Sequence, residues 1–341
     1  MVPVCRQTDV MGGTDSTRVI ETLRAANRVL VTSHSQPDGD AVGSMAAMAH
    51  LLGRMGKAVM HYNTQHLPQD YRQIDLAGPW IQRLEELGDF QPDLLVVLDC
   101  GDPHRAGPEM AALIPQMPSV NIDHHLGNSR FGTAANWVDP TMAATCQMLG
   151  LLACEAGFSL DSSLGEAVYL GLNTDTGSFC YESTTPEVFF MAGEIVRQGL
   201  SLGSYFNKFE KQWGLNRLQL WGWLMQRVEL HENGRVALSV ILNSTLGRFG
   251  ANRADLERFA SFLQCIQGVE VTLLVRENGS GRAKASLRST GNINVRDMAA
   301  EFGGGGHRNA AGAEFAMNPQ AAAKVLLKVV ASHLALGKEK G

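Results

Sequence analysis

The sequence predicts two α/β domains, an N-terminal open parallel sheet and a smaller C-terminal mixed α/β domain, joined by a helical linker. Its 341 residues are enough for two domains, at roughly 150 residues each. In the first half, short apolar runs alternate with helical stretches, which is typical of a parallel sheet covered on both faces. Strand and hairpin patterns return after a helical stretch. We therefore expect the first domain at residues 1–185, the helical linker at 186–228 and the second domain at 229–341.

Strands and helices alternate along the first predicted domain. The strands are short runs rich in Val, Ile and Leu, predicted at Val29–Ser33, Leu94–Leu98 and Ser119–Ile122. The helices show apolar residues on one face, and they are predicted at Ala41–Gly56, Thr141–Glu155 and Leu164–Leu172. Because every residue of Leu94–Leu98 is apolar, we expect this strand to be buried on both faces of the sheet.

The stretch 186–228 is helical and lacks strand signals, so we interpret it as a connector between the domains. Its three tryptophans, Trp213, Trp221 and Trp223, leave open the alternative that they stack on nucleic-acid bases. A different pattern begins after this stretch. The strands predicted there are Val236–Leu242, Val269–Arg276 and Arg282–Arg288, with a hairpin turn at Asn278–Gly279. The helices predicted there are Asn252–Gln264, Val295–Glu301 and Pro319–Leu336.

Composition excludes several classes of protein. With 29 basic and 34 acidic residues, the formal charge is −5, so broad non-specific binding to long duplex nucleic acid is not expected. No apolar run approaches the roughly 18 residues that a membrane span requires, and the polar N-terminus shows no secretory signal. The six cysteines form no CxxC pair, and they are Cys5, Cys100, Cys146, Cys154, Cys180 and Cys265. We expect free thiols and a cytoplasmic protein.

Four segments place Asp or His directly after a predicted strand. They lie at 32–44, 97–102, 121–125 and 171–177, and their acidic and histidine residues include His34, Asp38, Asp40, Asp99, Asp123, His124, His125 and Asp175. In an open α/β sheet the carboxyl ends of the strands form the ligand crevice. Side chains that are distant in sequence are therefore expected to converge there.

Four clustered carboxylates would repel one another unless they bind protons or cations. Two divalent ions would balance Asp38, Asp40, Asp99 and Asp175, and neutral imidazoles would complete the coordination. Mixed histidine and carboxylate ligands favour Mn²⁺ or a similar first-row ion, and paired cations roughly 3.5–4 Å apart are suited to phosphoryl displacement. Taken singly, Asp-Gly-Asp is an ordinary turn and Asp175 an ordinary helix cap. Their joint occurrence favours a metal site.

These motifs resemble those of the DHH phosphoesterases. The matching residues are His34-x-x-x-Asp38-x-Asp40, Asp99, Asp123-His124-His125 and Asp175, in that order. The glycine-rich run from Gly303 to Gly312 is similar to the signature of the substrate-binding domain associated with that family, and Ser286-Leu-Arg288 matches its arginine strand. The two-domain length looks most like the branch of bifunctional oligoribonucleases and pAp phosphatases (nanoRNases).

The resemblance implies a role for each matching residue. One metal would be held by His34, Asp38 and Asp99, and the other by Asp40, His124 and Asp175, with Asp99 bridging both. Asp123 would orient the neighbouring imidazole, and His125 would face the scissile phosphate. Phosphate binding is implied for Arg288, Gly304, Gly305, Gly306 and His307. Two departures from the family pattern are Gln147, where relatives often have an acidic residue, and Cys100, where a small hydroxyl residue is common.

The activity implied by the resemblance is hydrolysis of short oligonucleotides to nucleoside 5′-monophosphates, and dephosphorylation of 3′-phosphoadenosine 5′-phosphate (pAp). The expected cofactors are two divalent cations, with Mn²⁺ preferred, and the expected partners are short oligonucleotides, pAp or dinucleotides. One alternative is a phosphodiesterase for cyclic di-AMP or linear pApA, and another is a catalytically inactive nucleotide-binding regulator. The glycine-rich run disfavours an inorganic pyrophosphatase. The sequence leaves open the cleavage polarity, the base preference and the choice between a monomer and a homodimer.

Overall fold

The structure is a computed structural model that describes residues 13–279 and 281–338, with side chains described as far as residue 335. The chain divides into two units between Gln212 and Trp213, a position inside the predicted linker 186–228. Across the described residues, every helix is too short or too polar to cross a membrane. Five of the six cysteines are free thiols, as expected, and Cys5 lies outside the described residues.

The N-terminal unit alternates strands with helices. Its strands are β1 (Arg28–Thr32), β2 (Ala58–Tyr62), β3 (Trp80–Ile81), β4 (Leu94–Leu98), β5 (Ser119–Asp123) and β6 (Ala135–Val138). Its helices are α1 (Gly13–Ala25), α2 (Gly39–Arg54), α3 (Pro108–Leu113), α4 (Thr145–Glu155), α5 (Ser162–Asp175), α6 (Pro186–Arg197) and α7 (Leu202–Tyr205).

All six strands of the N-terminal unit are parallel, in the order β3-β2-β1-β4-β5-β6. This confirms the predicted open parallel sheet. The chain builds outward from β1 in one direction and then from β4 in the other, so the order reverses between β1 and β4. Such a reversal leaves a crevice at the carboxyl ends of the two central strands, because their connections run to opposite faces.

Both faces of this sheet are covered by apolar side chains. One face belongs to a large apolar cluster that also includes residues of helices α1, α2, α4, α5 and α6, and the other contributes Leu30, Leu95 and Val97 to a smaller cluster with Met110 of α3. Every residue of β4 is buried, as predicted for Leu94–Leu98. The sheet is therefore a rigid platform, and its functional side chains are confined to its ends.

The C-terminal unit contains a six-stranded mixed sheet in the order β11-β12-β10-β9-β8-β7. The strands are β7 (Glu229–His231), β8 (Val236–Ile241), β9 (Val271–Glu277), β10 (Ala283–Ser289), β11 (Gly305–His307) and β12 (Ala310–Phe315). The helices are α8 (Leu215–Met225), α9 (Asn243–Arg248), α10 (Phe259–Phe262), α11 (Val295–Ala300) and α12 (Pro319–Lys338). Only β8 and β9 pair in parallel. The predicted mixed α/β domain is confirmed.

The continuous helix predicted at Asn252–Gln264 is wrong. Only the four residues of α10 are α-helical there, flanked by short 3₁₀ turns. Arg258 adopts a left-handed backbone with φ of 65°, which an α-helix cannot continue through. The predicted hairpin joins β9 and β10, where the amide of Asn278 donates to the carbonyl of Arg282; Ser280 of that turn lies outside the described residues.

The tryptophans near the start of the C-terminal unit are part of its packing. Trp221 is almost fully buried, and its indole N–H donates to the carbonyl of Asp255 at 2.7 Å. Its ring lies 4.6 Å from that of Trp213, and Trp223 packs against the same apolar cluster. These contacts give the three rings a structural role within the unit.

Candidate functional site

Three neighbouring strands deliver the acidic and histidine motifs to one edge of the N-terminal sheet. Asp99 directly follows β4, Asp123 is the last residue of β5, and His34 lies two residues beyond β1. Since β1, β4 and β5 are adjacent and parallel, their carboxyl ends meet at the crevice where the strand order reverses. His124 and His125 continue from β5 into the same region.

Asp38 and Asp40 stand at the start of helix α2. Asp38 caps this helix, because its Oδ1 accepts hydrogen bonds from the amides of Asp40 and Ala41, both at 3.1 Å. Asp40 lies two residues further along, in the first turn of the helix, and is fully buried. A Cβ atom at the intervening Gly39 would lie only 2.3 Å from the Thr174 side chain. Glycine at this position therefore lets the start of α2 approach the end of α5.

Asp175 is the last residue of helix α5. The expectation that all four motifs follow strands is therefore wrong for this one. Asp175 reaches the other motifs because α5 packs tightly along α2, which brings the end of one helix beside the start of the other. A helix end can present a carboxylate at a crevice as effectively as a strand end can.

The donor atoms of these residues converge into groups that could hold metal ions. His34, Asp38 and Asp99 form one group, and Asp40, His124 and Asp175 form another, with the donor atoms of each group within 4.8 Å of one another. The Nε2 atom of His124 lies 3.2 Å from Asp175 Oδ2 and 3.5 Å from Asp99 Oδ1. The sequence-predicted ligands are thus brought together as two adjoining groups.

Asp99 is the centre of the cluster. Its carboxylate lies 3.5 Å from ring nitrogens of three histidines, His34, His124 and His125, and the residue is 2% exposed. Its backbone is left-handed, with φ of 52°. This conformation is uncommon for a residue other than glycine and is better tolerated by Asp and Asn than by most residues.

The carboxyl groups of the cluster differ in pKa. Burial, followed by the charges of neighbouring carboxylates, raises the pKa of Asp40 well above its usual range. Burial also raises the pKa of Asp175, although the hydrogen bond to His124 and the charge of that ring oppose the shift. Burial also acts to raise the pKa of Asp99, but the hydrogen bond from His34 and the charges of the three imidazoles outweigh it and lower that pKa. Burying this many carboxylates is unfavourable unless protons or cations compensate their negative charge.

The imidazoles respond to the same negative charge. Burial acts to lower the pKa of His34 and of His124, but hydrogen bonds to Asp99 and Asp175 and the charges of the nearby carboxylates raise both. The donor set fits divalent cations, because imidazole nitrogens and carboxylate oxygens together suit first-row divalent ions. A cation would compete with protons for these groups, so its affinity is expected to depend on pH.

Asp123 and His125 form a pair beside this cluster. Asp123 is fully buried, and its Oδ1 accepts a hydrogen bond from Nδ1 of His125 at 2.7 Å. Its Oδ2 accepts a second bond from the side-chain amide of Asn128, also at 2.7 Å. Burial acts to raise the pKa of Asp123, but the hydrogen bond from His125 and its charge dominate and lower it. This carboxylate is fixed as an acceptor that orients the His125 ring.

Sequence reasoning missed Thr145 and Cys146, at the start of helix α4. Their backbone amides donate to the two carboxylate oxygens of Asp40, and the Thr145 hydroxyl donates to Asp99. Backbone amides carry no signal in the residue types, so no pattern pointed to them.

The two departures from the family pattern, Gln147 and Cys100, lie close to the cluster in sequence. Gln147 stabilises the turn before helix α4, because its side-chain oxygen accepts a hydrogen bond from the amide of Ala143 at 2.8 Å. Burial raises the pKa of the Cys100 thiol to about 12, so this group stays protonated near neutral pH.

In the C-terminal unit, Arg288 and His307 lie in one cross-strand row. Arg288 of β10 pairs with Ala310 of β12, which pairs in turn with His307 of β11. Directly opposed residues in antiparallel strands share a face of the sheet, and two strand spacings put the two backbones about 10 Å apart. Arg288 is partly exposed and shares its face with Ser286 and Lys284, because buried and exposed residues alternate along β10.

The glycine-rich segment owes its composition to close backbone contacts. A Cβ at Gly304 would lie 2.2 Å from the carbonyl oxygen of Gly312, and one at Gly306 would lie 2.4 Å from that of Ala310. Gly305 has open space around it. The segment borders a cavity of about 470 Å³ whose lining includes Lys284 and Glu314. Sequence reasoning missed Lys284, although its position two residues before Ser286 on β10 could have indicated it.

Two family models match the chain. Residues 28–172 match the DHH family, N-terminal domain, and residues 233–334 match the DHHA1 domain. Each match falls within one of the two units, and the first contains all of the clustered motifs except Asp175.

Individual proteins are similar over most of the chain. A Thermus thermophilus protein named bifunctional oligoribonuclease and PAP phosphatase NrnA is 30% identical over 297 residues, which cover 86% of each chain. The Bacillus subtilis protein of the same name is 25% identical, over 87% of this chain and 92% of its own. An exopolyphosphatase-related protein from Bacteroides fragilis has a similar crystal structure, with a TM-score of 0.88, 26% identity, and coverage of 97% of this chain and 99% of its own.

Proposed function

This chain belongs to the DHH family, and on that basis we propose that it is a metal-dependent phosphoesterase that hydrolyses short oligonucleotides to nucleoside 5′-monophosphates and dephosphorylates pAp. The observation that carries the proposal is the convergence of His34, Asp38, Asp40, Asp99, His124 and Asp175 at one sheet edge. Relatives named for these two activities align with nearly the whole chain. The family resemblance drawn from the motifs is thereby confirmed.

We assign two divalent cations, Mn²⁺ by preference, to the clustered donors. His34, Asp38 and Asp99 would hold one cation, and Asp40, His124 and Asp175 the other, with Asp99 shared. When bound, such cations act as Lewis acids on a phosphoryl group and neutralise its charge. The four carboxylates in these two sets balance two divalent charges, so a phosphate substrate would not meet a strongly negative field.

His125 is the residue that we assign to the scissile phosphate. Its Nδ1 proton is bonded to Asp123, so the tautomer is fixed and Nε2 is the ring atom for a phosphate oxygen. A proton held there would stabilise the charge that develops on that oxygen as water attacks and the P–O ester bond breaks. Asp123 would orient the His125 ring through this hydrogen bond without contacting the substrate.

The phosphate-binding residues of the C-terminal unit are Arg288, His307 and the glycines at 304–306. The planar guanidinium of Arg288 can bind two oxygens of a terminal phosphate at once. Gly305 has open space where a side chain would stand, so its backbone can approach an anion closely. Recognition of a terminal phosphate directs binding to the end of a substrate.

The proposal is tested by following products over time on 5′-labelled di- to heptanucleotides, pAp and cyclic di-AMP, with and without Mn²⁺. We expect mononucleotide products and pAp dephosphorylation that require the metal. Faster hydrolysis of cyclic di-AMP than of both other substrates would instead indicate a signal phosphodiesterase. Metal binding without any turnover would indicate a nucleotide-binding regulator. Sedimentation of the same preparation would distinguish a homodimer from a monomer.

Asp99→Asn provides the inactive control for this assay. Asparagine tolerates the left-handed backbone at this position, so the fold is expected to survive while the shared carboxylate charge is lost. Asp89→Asn, at an exposed site outside the cluster, should leave every rate unchanged. If Asp99→Asn retained more than about a tenth of the wild-type rate, roughly 1.4 kcal/mol of barrier or less, with unchanged metal content, the assignment of Asp99 would be wrong.

A further inference from the structure

Helix α4 begins without a cap from its own segment. Its N-cap position is Ala144, which has no side chain able to accept a hydrogen bond from the first turn. The first amides of a helix lack partners within the helix and need acceptors from elsewhere. At α4, the amides of Thr145 and Cys146 donate to Oδ2 and Oδ1 of Asp40, at 2.7 and 2.9 Å. A carboxylate on α2 therefore caps α4 across 105 residues of sequence.

Thr145 also contacts the second central carboxylate. Its hydroxyl donates to Oδ1 of Asp99 at 3.2 Å, so one residue bonds to both carboxylates, through its backbone to Asp40 and through its side chain to Asp99. Thr145 and Asp40 are fully buried, and Asp99 nearly so. Because water does not reach these bonds, each donor has a defined acceptor and the geometry is not averaged by solvent.

We propose that Thr145 is a positioning residue of the metal centre, which fixes Asp40 and Asp99 relative to each other. The inference rests on the proposed function, because it assumes that these two carboxylates are ligands. Asp40 and Asp99 belong to different donor groups, so a residue bonded to both controls the spacing of the two groups.

The alternative is that Thr145 only packs the interior and closes the helix. The two explanations differ in which part of the side chain matters. Thr145→Ser keeps the hydroxyl and removes the methyl group, whereas Thr145→Val keeps the shape and removes the hydroxyl. Both variants keep the backbone amide that bonds to Asp40. A positioning role requires the hydroxyl, and a packing role requires the methyl group.

The test is calorimetric titration of Mn²⁺ into the full-length, metal-free chain and its Thr145 variants. We expect Thr145→Val to weaken Mn²⁺ binding about 10- to 100-fold, the usual effect of removing a group that orients a ligand. Thr145→Ser should stay within about threefold of the wild type. Thr272→Val is the matched control, because Thr272 is equally buried and its hydroxyl donates to the carbonyl of Ala260, away from the cluster. Its Mn²⁺ affinity should not change.

Wild-type Mn²⁺ affinity in a folded Thr145→Val chain would overturn the positioning role and leave the proposed function intact. Loss of affinity in Thr145→Ser to the same extent as in Thr145→Val would assign the effect to packing. If the valine variant does not fold, Thr145→Ala removes the same hydroxyl, and failure of both to fold would show a structural role instead. A wild-type chain that binds no divalent ion would contradict the proposed function itself.

Discussion

Asp123 accepts a hydrogen bond from His125 at 2.7 Å, and donor atoms of these two residues and of Asp99 lie within 4.8 Å of one another. His124 bonds differently, because its Nδ1 lies 3.1 Å from the carbonyl oxygen of Met142. Two adjacent histidines therefore have different second partners, a carboxylate for one and a backbone carbonyl for the other. These partners leave Nε2 of each ring for the roles proposed above, a phosphate contact for His125 and a cation for His124, whose Nε2 lies 3.2 Å from Asp175 Oδ2.

His125→Ala should lower kcat on dinucleotides about 10²- to 10³-fold, the usual cost of removing one donor to a developing oxyanion. Mn²⁺ stoichiometry should remain that of the wild type, because His125 is not assigned as a ligand. Asp123→Asn should lower kcat about tenfold, because it weakens the hydrogen bond that orients the His125 ring but keeps the ring itself. Steady-state kinetics with metal analysis checks both variants. His66→Ala, at an exposed histidine, serves as the control, and loss of metal from His125→Ala would make His125 a ligand.

Arg288→Ala should raise KM for 5′-phosphorylated dinucleotides about tenfold to a hundredfold, because a charge-assisted contact to a terminal phosphate is lost. Hydrolysis of a small generic phosphodiester without a terminal phosphate should be nearly unaffected. The comparison is made from kcat and KM for both substrates. Arg282→Ala removes an exposed arginine just before the same strand and should change neither constant. Equal losses on both substrates would place Arg288 elsewhere in the mechanism.

Gly171→Ala should displace Asp40 from its position in the cluster. A Cβ at this position would lie 2.3 Å from Asp40 Oδ1 and 2.3 Å from Cys146 Sγ, so Asp40 must move. We expect a loss of about 1–3 kcal/mol in unfolding free energy, as in other overpacked interiors, together with weaker Mn²⁺ binding. Gly193→Ala is the matched helical substitution, with open space around the new methyl group, and it should stabilise by up to about 1 kcal/mol. Denaturant unfolding of both variants measures the change in unfolding free energy. An unchanged Mn²⁺ affinity in Gly171→Ala would contradict the predicted movement of Asp40.

His61 should make folding stability depend on pH. Burial, with a smaller contribution from the charge of His50, lowers its pKa from 6.5 to about 4, although the bond to the Leu76 carbonyl opposes the shift. The unfolded chain therefore takes up a proton at this ring before the folded chain does. Unfolding free energy should fall as the pH drops from 6.5 to 4, by about 3 kcal/mol in total, and this contribution should level off below pH 4.

The measurement for His61 is the difference between the wild type and His61→Gln in denaturant unfolding across pH 4–7. Taking the difference removes the titration of the clustered carboxylates and histidines, which both chains share. Glutamine can still donate to the Leu76 carbonyl but does not titrate, so only the wild type should show the additional dependence on pH. Parallel curves for the two chains would show that the buried ring does not resist protonation.

The parts of the site that were predictable from the sequence are those that reside in side-chain chemistry. His34, Asp99 and the Asp123-His124-His125 run follow strands whose apolar composition is unambiguous, and the reversal of strand order brings them together. Asp175 was singled out by motif but misplaced, because a helix end and a strand end present the same residue types. Thr145 bonds to Asp40 through its backbone amide and to Asp99 through its hydroxyl, across 105 and 46 residues of sequence, and such distant partners leave no mark on local sequence.

The same reasoning accounts for the elements that were not predicted. Strand β11 is Gly-Gly-His, a sequence with little strand propensity, and it exists because it pairs with β12. Strand β3 has only two residues and lies at the edge of its sheet. The break at Arg258 comes from a left-handed backbone at a residue whose type favours helices. In each case tertiary contacts decide the local structure.

The order in which the donors occur along the chain has a consequence for biosynthesis. A polypeptide leaving the ribosome exposes His34, Asp38 and Asp99 well before Asp175, which ends a helix 76 residues after Asp99. Residues of the earlier trio can meet once β1 and β4 pair, whereas the later trio must wait for α5 to emerge and dock. Under the proposed assignment of two cations, a nascent chain stalled between these points would bind at most one ion, and uptake of a second would mark completion of the N-terminal unit.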